Sequence, residues 1–119
     1  MVGHKKLIQS FRNAISGFVF IFRREQNMKI ELIAAMLVIS AMLIAPVQTW
    51  EAVVLVIMIA GVLILEVLNT ALEQLINMLK PRVHPKAKVL KDLMAPSVFL
   101  ASIAAAAVGL LIFWPYIYN

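Results

Sequence analysis

The sequence predicts an all-α integral membrane protein: an N-terminal amphipathic surface helix followed by three transmembrane helices. Composition is the first observation behind this. Of 119 residues, 63% are hydrophobic, and mean hydropathy is +0.94, against roughly half apolar content in a soluble domain. The second is a set of three apolar runs, at about 28–46, 51–79 and 90–116. Each is close to or above the ~20 residues that cross a 30 Å hydrocarbon core. The third is the placement of positive charge. All 11 Lys and Arg residues fall in two blocks, one before the first run and one between the second and third.

The elements follow in chain order. Over about 4–24, Leu7, Ile8, Phe11, Ala14, Ile15, Phe18, Val19 and Phe22 recur every three or four residues, while Lys5, Lys6, Arg12, Arg23 and Arg24 take other positions. That is the pattern of an amphipathic helix lying in the interface, apolar stripe toward the acyl boundary and cations near the headgroups. The first span ends at Pro46, with Trp50 as an interfacial anchor. The second continues as one helix to about residue 79, longer than the hydrocarbon core needs. The third starts at about Lys86 or Leu90 and ends in the aromatic segment Trp114-Pro115-Tyr116, and Pro96 near its start is a candidate kink. One membrane domain over 1–119 is the expected organisation.

Charge sets the topology. The link between the first two runs carries no positive residue, and neither does anything after Lys91. By the positive-inside rule both basic blocks face the cytoplasm, with the N-terminus inside and the C-terminus outside. The net charge of +5 is therefore a membrane signal and not a nucleic-acid footprint. With no cysteine in the chain, disulfide and thiolate chemistry are excluded. The first 24 residues interleave polar with apolar positions and do not read as a secretory signal.

One segment breaks the pattern. Residues 52–65 hold only apolar side chains and a glycine, and then come Glu66, Asn69 and Glu73. At about 100° per residue these three lie within roughly a 60° arc. Carboxylates on one face of a membrane helix are costly and mark a functional site by default. Near a basic interface they suit a hard divalent cation, and Mg²⁺ is commonly held by one or two carboxylates together with substrate phosphates. Glu25 before the first span and Lys91-Asp92 at the entrance to the third add charged groups at the same depth. Metal, cations for phosphates and a carboxylate for an attacking hydroxyl are the parts of a phosphoryl-transfer site. Taken alone, Glu31 reads as an interfacial carboxylate and not a ligand, His84 as a solvated loop residue, and the seven methionines as packing.

Glu66-Val67-Leu68-Asn69-Thr70-Ala71-Leu72-Glu73 resembles the Glu-x-x-Asn-[Ser/Thr]-Ala-[Ile/Leu]-Glu signature of the prokaryotic diacylglycerol kinase/undecaprenol kinase family. Glu25-Gln26-Asn27-Met28-Lys29-Ile30 resembles the stretch before that family's first span, especially in its undecaprenol-kinase-like branch. His84-Pro85 followed by Lys91-Asp92 resembles the family's loop and third-span entrance. The likeness runs over nearly the whole chain.

The resemblance implies a small lipid kinase of the bacterial inner membrane, a homotrimer with sites shared between protomers. It implies Glu66 as the base for the lipid hydroxyl, Glu25 and Glu73 as ligands of a Mg²⁺ on the ATP phosphates, and Asn69 in support. Lys91 and Asp92 would contact the nucleotide, with Lys6 a phosphate partner and His84 a loop contact. The acceptor is undecaprenol or diacylglycerol, with a tilt toward undecaprenol. Leu90, Met94 and Pro96 depart from the small residues usual around Lys-Asp and bear on local packing or the lipid pocket. Two rival readings are a non-enzymatic transporter or channel subunit and a family member that binds lipid without turnover. A transporter would want polar residues through the full depth of the membrane.

Overall fold

A computed structural model describes residues 2–79 and 85–118. They form four helices, α1 (Val2–Arg24), α2 (Gln26–Ile44), α3 (Thr49–Leu79) and α4 (Pro85–Tyr118). Four helices stand where four were expected, and three of them are long and apolar enough to cross a membrane. α4 begins at Pro85, next to the earlier of its two expected starts, Lys86 and Leu90. Proline is pre-organised for a first helical position, where its missing N–H costs nothing. Lys80, Arg82 and His84 lie outside the described residues, as does Asn119.

The links are short and locally determined. Glu25 alone joins α1 to α2. Its N–H donates to the Ile21 carbonyl at 2.8 Å, its backbone is extended at φ −105°, ψ 116°, and its carboxylate makes no capping bond to α2. Between α2 and α3, Pro46 forces the residue before it out of helical geometry. Ala45 accordingly sits at φ −79°, ψ 146° and closes α2 through its N–H to the Ala41 carbonyl.

α3 starts two residues before the expected position. Glu51 stands in its first turn and is 8% exposed. Its Oε1 accepts the Gln48 N–H at 2.9 Å, the return half of a capping box. The same oxygen accepts the hydroxyl of Tyr116 near the end of α4. Trp50 is exposed, and its Nε1 donates to Gln48 Oε1 at 2.6 Å.

α3 is the central helix. It packs mainly on α4 and next on α2, and α1 meets α2. Leu55, Val62 and Ile76 of α3 are buried, as are Met28 and Ala35 of α2, Val98 and Ile112 of α4, and Ile21 of α1. Most other large apolar side chains face outward, up to 85% exposed at Ile44. α2, α3 and α4 are each long and apolar enough to cross a bilayer. The 31 residues of α3 extend about 46 Å, half as long again as the core needs. α4 stays helical through Pro96 and Pro115.

Candidate functional site

Glu66 and Thr70 are each 1% exposed. Four residues apart on α3, they share one face of the helix. Among the described residues, Glu66 Oε2 and Thr70 Oγ1 are buried without a hydrogen-bond partner, and so is Glu31 Oε2 on α2. Burying a polar atom unpaired costs roughly 1–3 kcal/mol, and more when it is charged. Three such atoms close together are a concentrated cost in an otherwise apolar bundle.

Two of the three, Glu31 and Glu66, border open space. A chamber of about 540 Å³ lies between the helices, with Asn27 and Glu31 of α2, Glu66 and Asn69 of α3, and Ala95, Pro96, Phe99 and Ser102 of α4 among its lining residues. Pro96 thus contributes to the wall of the chamber. Its missing N–H leaves the Asp92 carbonyl without its helical partner, while the Ser97 hydroxyl donates back to the Leu93 carbonyl at 3.0 Å. A second cavity of about 280 Å³ adjoins the first, sharing Glu31 and Ser102 with it.

The residues singled out from the sequence separate into three groups. Glu66 and Asn69 line the chamber. Glu25 and Glu73 are half-buried and line neither cavity, yet the charges of both act on Glu66. Lys6, Lys91 and Asp92 are exposed and line neither cavity, and His84 lies outside the described residues. Among the described residues no three His, Asp or Glu side chains converge closely enough to hold a metal ion. The donor set Glu25 and Glu73 nonetheless fits Mg²⁺ in kind, because that ion takes one or two carboxylates and completes its shell with phosphate and water.

Two further chamber residues, Asn27 and Glu31, carry no assigned role from the sequence. They stand four apart on α2, so the spacing that aligns Glu66 with Thr70 also aligns them. Read alone, Glu31 looked like an interfacial carboxylate. In the fold it faces Glu66, and the Glu66 charge acts on it. Thr70, inside the signature octapeptide, likewise had no role of its own and is among the most buried side chains of the chain.

The family described as prokaryotic diacylglycerol kinase matches residues 12–113. The chain is similar to the protein named diacylglycerol kinase of Synechocystis sp., 36% identical over 104 residues, covering 87% of this chain and 59% of that one. It is also similar to the undecaprenol kinase of Bacillus subtilis, 31% identical over 110 residues, covering 92% of this chain and 89% of that one. The chain thus spans under two thirds of the first relative's length and most of the second's. The match runs from the middle of α1 to the last turns of α4, and the protein belongs to the prokaryotic diacylglycerol kinase family.

Proposed function

We propose that the protein is a lipid kinase that transfers the γ-phosphoryl group of ATP to the hydroxyl of undecaprenol or diacylglycerol at the cytoplasmic face of a bacterial inner membrane. The observation that carries this reading is Glu66: fully buried in a span, one oxygen unpartnered, at the edge of a polar chamber. An intramembrane carboxylate without an internal partner suits a group that comes from outside the chain.

In this reading the lipid hydroxyl enters the chamber and gives its proton to Glu66 as its oxygen attacks the γ-phosphorus. The bond to the ADP oxygen breaks, and the lipid phosphate and ADP depart. The Asn69 amide, one turn along α3, orients the acceptor. Glu25 and Glu73 would hold Mg²⁺, which when bound offsets charge on the transferring phosphates. Glu25 does not use its carboxylate to cap α2. Lys91 and Asp92, with Lys6 and His84, bind the nucleotide from the water side. α1 lies in the cytoplasmic interface, its exposed Leu7, Ile8, Phe11 and Ile15 set into the acyl boundary. Three copies assemble around shared sites, which supply ligands that one chain does not bring together.

Glu66→Gln tests the reading. It keeps the shape and removes the proton acceptor, so turnover with labelled ATP and either lipid falls by roughly 100-fold or more. Near-normal turnover in a folded variant would remove Glu66 from the mechanism.

A further inference from the structure

The two parts of α4 are held very differently. Beyond Ser97 the helix is anchored: Val98 and Ile112 are buried, and Tyr116 donates to Glu51 near the far end. From residue 85 to 97 no side chain is buried, and only Ala87 and Met94 are partly covered. The stretch ahead of Pro96 is about three turns, roughly 16 Å long.

The joint between the two parts is a weak point of the helix. Pro96 gives no N–H to the Asp92 carbonyl and crowds it. One residue on, the Ser97 hydroxyl donates to the Leu93 carbonyl at 3.0 Å, a back-bond of the kind that bends helices. Pro115 breaks the same helical ladder, but it lies between the buried Ile112 and the bonded Tyr116, where packing holds the chain. What the exposed part carries is charge. Lys91 and Asp92 stand about one turn before Pro96 and line neither cavity. Among the described residues no Lys, Arg or His lines the chamber beside Glu66, so a phosphate brought to its mouth meets carboxylates and no side-chain cation.

We infer that the first three turns of α4 form an arm, hinged at Pro96, that bound nucleotide draws onto the site. The inference rests on the lipid-kinase reading above for the identity of the ligand. A bend of 20–30° at such a hinge carries the backbone of Lys91 about 3–4 Å and that of residue 88 about 4–6 Å. The Lys91 side chain extends that reach toward the phosphates. Nucleotide contacts Lys91 in the closed arm and not in the open one, and that difference in affinity is what moves the arm. Pro96 lines the chamber, so closure also moves part of the chamber wall.

Spin labels on cysteines introduced into the full chain test this. The doubly labelled copy is diluted with unlabelled protein in lipid nanodiscs. Labels at 36 and 88 report the arm; labels at 36 and 111, exposed positions of α2 and the anchored part of α4, report the frame. With Mg²⁺ and a non-hydrolysable ATP analogue, the 36–88 distance shifts by several ångströms and its spread narrows, while the 36–111 distance stays. Pro96→Ala restores the helical bond and abolishes the shift. Its KM for Mg·ATP rises roughly tenfold, as expected when the closed arm becomes ten times rarer. Pro96→Gly bends without the ring and recovers both the shift and the KM. Pro115→Ala keeps the parent's shift. A 36–88 distance that ignores nucleotide overturns the inference whatever the turnover, and means that neighbouring copies or the bilayer clamp the arm. A Pro96→Ala protein that responds like the parent overturns the hinge. If the parent phosphorylates neither lipid and its arm still answers Mg·nucleotide, the lipid-kinase reading fails and the arm stands.

Discussion

Glu31, Glu66 and Thr70 present the same physical situation to different degrees, a polar atom buried in an apolar helix with no partner among the described residues. Thr70 is the simplest to test, because valine matches its shape. Thr70→Val removes an unpaired buried hydroxyl, and the variant is expected to gain about 1 kcal/mol of stability, seen as a higher unfolding temperature in detergent. A loss of stability would mean that the hydroxyl finds a partner in the assembled protein. Glu73→Gln addresses the metal. Its KM for Mg·ATP rises while lipid binding changes less, and added Mg²⁺ recovers part of the activity by mass action. Equal weakening of both substrates would take Glu73 out of the metal site. From sequence, the Glu66-Asn69-Glu73 arc was legible, because one helix with an apolar approach fixes which way its residues point. Glu31 was not, because its meaning depends on α3 standing opposite, and no periodicity within α2 carries that.

Among the elements, α3 and α4 are joined at one end by a side-chain lock. Glu51 closes the first turn of α3 on the Gln48 N–H and takes the Tyr116 hydroxyl from α4. Tyr116→Phe removes that donor from a buried carboxylate and is expected to cost about 1–3 kcal/mol, measured as a lower unfolding midpoint with kcat retained. An unchanged midpoint would show that water replaces the hydroxyl. The helix boundaries were legible from proline and from charge: Pro46 sets the end of α2, and basic residues flank the spans. The lock was not, since Glu51 and Tyr116 are 65 residues apart and each alone reads as an interfacial residue. Pro96 was legible as a special position, and its place in a chamber wall required the packing of α4 on α3.

The whole molecule is open. Its radius of gyration is 17.8 Å, where a compact domain of this length has about 13.5 Å. Most of its large apolar side chains face outward, and the proposed trimer would cover part of them. Single cysteines in this cysteine-free chain test how it sits. Residues 4 and 84 label from the cytoplasmic side only, and residues 48 and 119 from the opposite side only. Labelling of 48 and 84 from one side would separate the proposed ATP ligands and break the mechanism.

The unequal ends of α3 have an electrical consequence. Protons cross a membrane by hopping between groups within hydrogen-bond reach, about 3 Å. Here Glu51 is already engaged by Gln48 and Tyr116, and residues 52–65 offer no polar side chain before Glu66. Fifteen positions separate Glu51 from Glu66, a gap of about 22 Å along the helix. α3 is therefore an insulator across its middle. In the proposed reaction, a proton taken up by Glu66 would therefore leave by the side from which the acceptor came. Vesicles carrying the working protein should pass no current, and collapsing the membrane potential should leave its turnover untouched.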